Sequence, residues 1–226
     1  MSLLTDTFGC LFISMLLTFI LYGMVLVLGA QYFRQYPSDS LAVRFTVVVF
    51  LIVGTIHIAS GFAWIYDSLI DKFGQLLKLD LIPVTALMQM GSIFFLSFFS
   101  QCFFGMRIWI LSKKNFFMTV PVFLLAVAQF TLAMWALARV AIYGRLSAIF
   151  RVKDIIIAQD TLTVTDDLLI TAELCYLLHR NRSGIRATDS LITRLLVAAL
   201  NRGIITSFLA ALSLALYLYN PVSMIL

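Results

Sequence analysis

Four carboxylic acids lie within one otherwise apolar stretch, and they are the side chains best suited to chemistry. They are Asp160, Asp166, Asp167 and Glu173, all between residues 155 and 178. At 100° per residue, Asp166 and Glu173 share an arc of about 80° with Gln159 and Thr163, while Leu and Ile occupy the opposite face. Acids placed in an apolar helix are costly and are typical of a ligand site or an ion path.

Two other helical faces carry polar groups that could meet these acids. His57 lies on one face with Gly54, Ser60, Gly61 and Trp64, and Gln89 lies on another with Thr85, Ser92, Ser100 and Arg107. We expect the faces to surround a buried polar cavity. The alternative is that the polar groups are packing contacts between helices. For His57 the packing role is favoured, whereas for Asp166 and Glu173 both roles stay open.

The sequence has no motif of a catalytic, metal or cofactor site. GxSxG, HExxH, a Walker loop and GxGxxG are all absent. The two histidines, His57 and His179, are far apart. The three cysteines, Cys10, Cys102 and Cys175, are scattered through apolar runs without the spacing of a zinc site. We therefore predict that the chain is not an enzyme and holds no cofactor and no metal.

The composition requires a lipid environment. Of 226 residues, 62% are hydrophobic and 12% are charged, whereas soluble domains have about 45–50% and about 25%. The net charge of +5 is distributed over short segments between apolar runs, so we expect no nucleic-acid partner. The predicted partners are the lipid bilayer, and anionic lipid or a cytoplasmic protein at the basic inner loops.

The apolar segments predict an all-α, polytopic transmembrane bundle that forms one domain, residues 1–226. Crossing a bilayer takes about 20 apolar residues. Six segments have that length: residues 8–30, 45–66, 81–106, 115–138, 155–178 and 195–219. The stretch from residue 222 resembles the start of a seventh helix. Residues 155–178 form a marginal membrane span, because each central acid costs about 2.5–3.5 kcal/mol on the insertion scale. We expect neighbouring helices to shelter these acids.

The basic residues predict that the N-terminus lies outside. The inner loops then hold most of the Lys and Arg, namely Arg34, Arg44, Arg107, Lys113, Lys114, Arg180, Arg182, Arg186 and Arg194. The segment with Arg139, Arg145, Arg151 and Lys153 falls on the outer side against this rule, so we expect it to lie along the membrane interface. The prediction is a multi-pass protein of the plasma membrane or an endomembrane.

The last inner loop carries a distinctive motif. It is Arg186-x-Thr188-Asp189-Ser190-Leu191-Ile192, followed by Arg194 and Asn201. This motif resembles the signature of a family of basidiomycete fungal membrane proteins, known chiefly as a domain of unknown function. The resemblance implies seven helices, an outer N-terminus and a cytoplasmic position for the motif, but no established activity. Arg202 departs from the family pattern, and Asp189 or Ser190 also fits a helix cap.

Three functions follow from these features. The leading interpretation is a seven-helix, receptor-like sensor that binds a small or lipophilic ligand within the bundle. The rival is a proton-coupled transporter of small solutes, whose acids in residues 155–178 titrate during transport. Against this rival, the sequence shows no internal repeat and no pair of broken helices in matching halves. The third is a structural membrane scaffold without a ligand.

Overall fold

The computed structural model describes residues 2–72, 80–145, 149 and 151–180, and this part of the chain is all-α, as predicted. Five helices follow one another: α1 Ser2–Gln35, α2 Leu41–Tyr66, α3 Val84–Leu111, α4 Phe116–Tyr143 and α5 Lys153–Arg180. A π-helical turn, Asp67–Asp71, extends α2. Among the described residues, the only extended pairing is an isolated antiparallel bridge between Leu81 and Arg145.

Four of these helices are long and apolar enough to cross a membrane. The spans are Phe12–Gln35, Val43–Asp71, Val84–Leu111 and Phe116–Tyr143. They indicate a membrane protein, as the composition predicts. α5 has 28 residues but is not among these spans, because its acids make it too polar.

The predicted number of helices is therefore not supported. Six helices and the start of a seventh are expected from the sequence, whereas four of the described helices meet the requirements for a span. The helix predicted at residues 195–219 and the start predicted at residue 222 lie outside the described residues.

The ends of two helices differ from the prediction for local reasons. α3 begins at Val84 instead of residue 81, because Leu81 pairs with Arg145 and the Ile82 amide donates to the Gly144 carbonyl at 3.1 Å. α4 continues past residue 138 to Tyr143 and stops at Gly144, whose φ is 64°. Arg139 thus belongs to α4, and the interfacial position predicted for the segment from Arg139 to Lys153 stays a prediction.

The described helices divide into two compact units. Unit 1 combines α1, α2, the part of α3 up to Ser97 and the part of α4 from Ala136. Unit 2 combines the rest of α3 and α4, residues Phe98–Trp135, with α5. The core of unit 2 is apolar and draws on all three helices, with Ile108, Val122, Ile170, Leu174, Leu177 and Leu178 fully or almost fully buried.

Large apolar side chains cover the outside of the helices. On α1, Leu17, Ile20 and Leu28 are each more than half exposed. Contiguous apolar surface of this extent is unusual on a monomeric soluble protein. Such a surface is suited to contact with the acyl chains of lipids.

Candidate functional site

Asp166 and Asp167 lie on the buried face of α5. Asp166 is 0% exposed and Asp167 is 4% exposed. The same face continues through Ile170, Leu174 and Leu177 into the apolar core. The predicted division into a polar face and an opposite Leu/Ile face was therefore wrong. Helical spacing places these three apolar residues in the arc of Asp166, so the face is polar in its first half and apolar in its second.

Two buried glutamines connect α3 to α4 inside unit 2. The Nε2 group of Gln129 donates a hydrogen bond to Oε1 of Gln101. Both side chains are buried. This bond leaves Gln101 Nε2, a donor, and Gln129 Oε1, an acceptor, without hydrogen-bond partners among the described residues. A buried polar group without a partner costs about 1–3 kcal/mol, so the pair favours one more group that both accepts and donates.

Ring contacts on both sides hold the two glutamines in register. Phe98 and Phe130 pack with ring centroids 4.7 Å apart on one side of the pair. On the other side, a Cβ atom on Gly105 would lie only 3.1 Å from the Phe123 ring. The missing side chain at Gly105 thus allows the close approach that an antiparallel helical hairpin requires here. Along the hairpin, the amide pair lies between these two contacts.

The acids of α5 share the interior of unit 2 with the glutamines. The Asp166 carboxylate lies within electrostatic range of the Cys102 thiol, and Cys102 directly follows Gln101 along α3. We use the name polar cluster for the buried amide and carboxylate side chains of the described part of unit 2, namely Gln101, Gln129, Asp166 and Asp167. Two turns further along α5, Glu173 has a buried Oε2 atom that accepts no hydrogen bond from any described residue.

In unit 1, the structure brings His57 and Gln89 together. His57 Nδ1 lies 3.1 Å from the backbone carbonyl oxygen of Gln89. Because a carbonyl oxygen only accepts, Nδ1 carries the proton and donates, which links α2 to α3. A Cβ atom on Gly61 would lie 3.1 Å from Gln89 Nε2, so that glycine lets the amide approach α2. This arrangement fits the packing role that the sequence favours for His57.

The predicted site residues are thus found in two places. His57 and Gln89 contact each other in unit 1, whereas Asp166, Asp167 and Glu173 belong to unit 2. The residues predicted for the cytoplasmic motif, Arg186, Thr188, Asp189, Ser190, Arg194 and Asn201, lie outside the described residues.

Sequence analysis did not identify Gln101 and Gln129. The signal that could have found them is the amide itself, since each glutamine lies near the middle of a predominantly apolar span. A polar side chain at such a position needs a partner inside the bundle. Their mutual pairing was not predictable, because it depends on the register of α3 against α4.

The described ranges contain no group of side chains that could bind a metal ion. No three His, Cys, Asp or Glu side chains there lie close enough together to hold a metal ion. The chemistry that the polar cluster does offer is hydrogen bonding through amides and electrostatic attraction of a cation through carboxylates.

The comparisons with known proteins give one match. Residues 163–226 match a family described as "family of unknown function (DUF6534)". The matched segment begins within α5 and includes Asp166, Asp167 and Glu173. No curated protein and no solved structure matches the chain. The match supports the predicted resemblance to a family of unknown function, while the basidiomycete source and the inner-loop motif stay predictions.

Proposed function

We propose that this chain is a multi-pass membrane protein that binds a small lipophilic ligand at the polar cluster and acts as a receptor-like sensor. The observation that carries the proposal is the buried glutamine pair, in which Gln101 Nε2 and Gln129 Oε1 have no hydrogen-bond partner among the described residues. A buried polar atom costs about 1–3 kcal/mol unless it acquires a partner. A ligand with a complementary group would supply that partner. The basidiomycete seven-helix relationship, with the N-terminus outside, is part of this proposal.

The open atoms of the glutamine pair define the polar end of the ligand. Gln101 Nε2 can donate to it and Gln129 Oε1 can accept from it. A hydroxyl group does both, while an ammonium group would donate to Gln129 and be attracted by Asp166. The apolar core residues beside the cluster, such as Val122 and Ile170, suit an alkyl body. The ligand class is therefore a small amphipathic alcohol or amine.

The test compares three probes of equal chain length: octane, 1-octanol and octylamine. The melting temperature of the chain in lipid nanodiscs is measured with each probe. Octanol or octylamine should raise it above the value with octane. The double variant Gln101→Leu/Gln129→Leu should lose the effect of octanol. Asp166→Asn should weaken octylamine binding by about 1.5–3 kcal/mol, the value of a hydrogen bond to a charged group.

A matched control separates the site from general charge effects. Asp154→Asn removes an exposed carboxylate from the first turn of the same helix. This variant should respond to all three probes as the parent does. Equal melting with the three probes in the parent, or a full response in the Gln101→Leu/Gln129→Leu variant, would contradict the proposal.

A second candidate function is a proton-coupled carrier, and one observation favours it. Glu173 Oε2 is buried without a hydrogen-bond partner among the described residues, two helical turns from Asp166. Acids spaced along one helix in a membrane are typical of proton relays. The carrier function predicts proton uptake into proteoliposomes that hold a pH-sensitive dye, and Glu173→Gln should abolish it while the protein stays folded.

If the chain is a scaffold, the octyl probes should bind without preference, and the proteoliposomes should show no proton uptake that depends on Glu173. If the double variant Asp166→Asn/Glu173→Gln folds, melts and responds like the parent, neither ligand binding nor proton transfer uses these acids. Amides preserve hydrogen bonding but not charge, so the double variant is close in shape and tests the charge alone.

A further inference from the structure

The turn between α3 and α4 has an unusual backbone. Residues 112–115 connect the two helices, and both Lys113, with φ 55°, and Lys114, with φ 68°, adopt the left-handed conformation. The Lys114 amide donates to the Trp109 carbonyl at 2.9 Å, and the Lys113 amide donates to the Ile110 carbonyl at 3.2 Å. These two bonds form the Schellman motif that ends a helix, in which glycine usually supplies the left-handed residue. Here lysine occupies that position and the next one.

This backbone geometry places two lysines at the point where one span ends and the next begins. The span Val84–Leu111 ends directly before the turn, and the span Phe116–Tyr143 begins directly after it. Both lysines are exposed, and neither forms an ion pair or a side-chain hydrogen bond with any described residue. Because only four residues separate the spans, the two charges must lie at the level of the lipid headgroups.

Two phenylalanines, Phe116 and Phe117, begin α4 directly after the turn that holds the lysines. The Phe116 ring packs against Trp109 with centroids 4.8 Å apart, whereas the Phe117 side chain is 92% exposed. The Phe117 amide donates to Asn115 Oδ1 at 3.0 Å, so the first turn of α4 is capped at this point. An exposed apolar ring next to unpaired lysines suits a membrane surface, where the ring enters the acyl region and the ammonium groups stay with the phosphates.

We infer that the α3–α4 turn, Ser112–Lys113–Lys114–Asn115 with Phe117, is a binding site for the headgroup of an anionic phospholipid. The paired positive charges complement the phosphate and any further negative group of the lipid. A lysine near an anionic leaflet contributes roughly a five-fold preference for that leaflet, and two lysines multiply this factor. The site uses none of the residues of the polar cluster, so it is independent of the proposed ligand.

Trp109 allows the lipid next to the turn to be measured directly. The chain has three tryptophans, and Trp64→Phe/Trp135→Phe leaves Trp109 as the only one. The chain is reconstituted into two kinds of phosphatidylcholine vesicle. One contains a minor fraction of acyl-brominated phosphatidylserine and the other the same fraction of acyl-brominated phosphatidylcholine. Quenching of Trp109 fluorescence then reports which of the two lipids lies near the turn. Brominated phosphatidylserine should quench more strongly at low salt. High salt should reduce the difference through screening.

The variants separate charge from backbone geometry. Lys113→Gln and Lys114→Gln should each reduce the excess quenching by phosphatidylserine roughly five-fold, and the double variant should remove it. Lys113→Gly/Lys114→Gly should remove it too, while raising the melting temperature, because glycine adopts positive φ without strain. Lys72→Gln is the control, because Lys72 is already paired with Asp67 at 2.6 Å, and it should change nothing.

Three results would overturn the inference. The first is equal quenching of the parent by both brominated lipids, which would assign the turn to another acidic partner such as a protein. The second is excess quenching that survives in Lys113→Gln/Lys114→Gln. The third is an equal loss in Lys72→Gln, which would mean that net charge and not the turn attracts the lipid.

Discussion

Gln129 donates a side-chain hydrogen bond to Gln101 across the α3–α4 hairpin, at a depth where neither amide is accessible. Lipid and apolar side chains offer no substitute partner there, so the two glutamines depend on each other. Their contributions to the free energy of unfolding are therefore coupled. The cost of losing one of them therefore depends on whether the other is still present.

The first prediction concerns this coupling. Gln129→Leu leaves the Gln101 amide buried with no partner from Gln129 and should destabilise the chain by about 1–3 kcal/mol. Gln101→Leu/Gln129→Leu removes both amides and should be closer to the parent in stability. The measurement is unfolding of each variant in detergent. Losses that simply add in the double variant would show that the glutamines act independently.

The second prediction concerns the contact between α1 and α2. A Cβ atom on Gly54 would lie 2.8 Å from the Tyr22 ring, whose hydroxyl is held by hydrogen bonds to Thr55 Oγ1 and the Leu51 carbonyl. The ring has little freedom to move away, so Gly54→Ala should destabilise the chain by about 1–3 kcal/mol, the usual cost of overpacking.

Gly23 provides the matched control for this variant. A Cβ atom there meets nothing within 4 Å. Gly23→Ala should be neutral or should stabilise α1 by about 0.5–1 kcal/mol, because glycine is unfavourable inside a helix. A melting temperature of Gly54→Ala equal to that of Gly23→Ala would contradict the close packing of Tyr22 on α2.

The five helices of the described residues were predictable, because long apolar runs leave few alternatives, whereas the predicted total of six or seven is not supported. The exact ends of these helices were less predictable. α3 begins only after Pro83, where the chain leaves the Leu81–Arg145 bridge. That bridge joins residues more than 60 positions apart in the sequence. The turn at Lys113 and Lys114 was hidden for another reason. Glycine is the usual sign of a left-handed helix end, and lysine carries no such signal.

The candidate site was predictable only in part. The acids of α5 are visible in the sequence because carboxylates are rare in apolar segments. Which side of α5 is buried was not visible, since Asp166 and Leu174 fall on nearly the same face and the direction of burial depends on α3 and α4. Pattern alone also grouped His57 with these acids, whereas the structure shows its hydrogen bond to the Gln89 carbonyl within unit 1.

The third prediction tests the orientation. Ser38 lies in the exposed turn after α1, and Asp71 lies in the exposed turn after α2. Because α2 separates these turns and the N-terminus is predicted outside, Ser38 should face the cytoplasm. In sealed microsomes, a membrane-impermeant maleimide should label Ser38→Cys, and it should label Asp71→Cys only after detergent is added. The reverse pattern would mean that the N-terminus faces the cytoplasm.

The last prediction concerns the reason why α5 is not among the apolar spans. Asp166 and Asp167 lie near its middle, and replacing two such acids with leucine should favour insertion by about 6–8 kcal/mol on the translocon scale. Placed as a test segment in a host membrane protein, Lys153–Arg180 should therefore insert inefficiently. Asp166→Leu/Asp167→Leu should make insertion nearly complete, as should the α4 segment Phe116–Tyr143 used as the positive control. Asp154→Leu, which changes an exposed acid in the first turn, should have a much smaller effect because the cost of an acid falls toward the ends of a segment. Efficient insertion of the unchanged α5 segment would show that its acids do not prevent it from crossing the membrane alone.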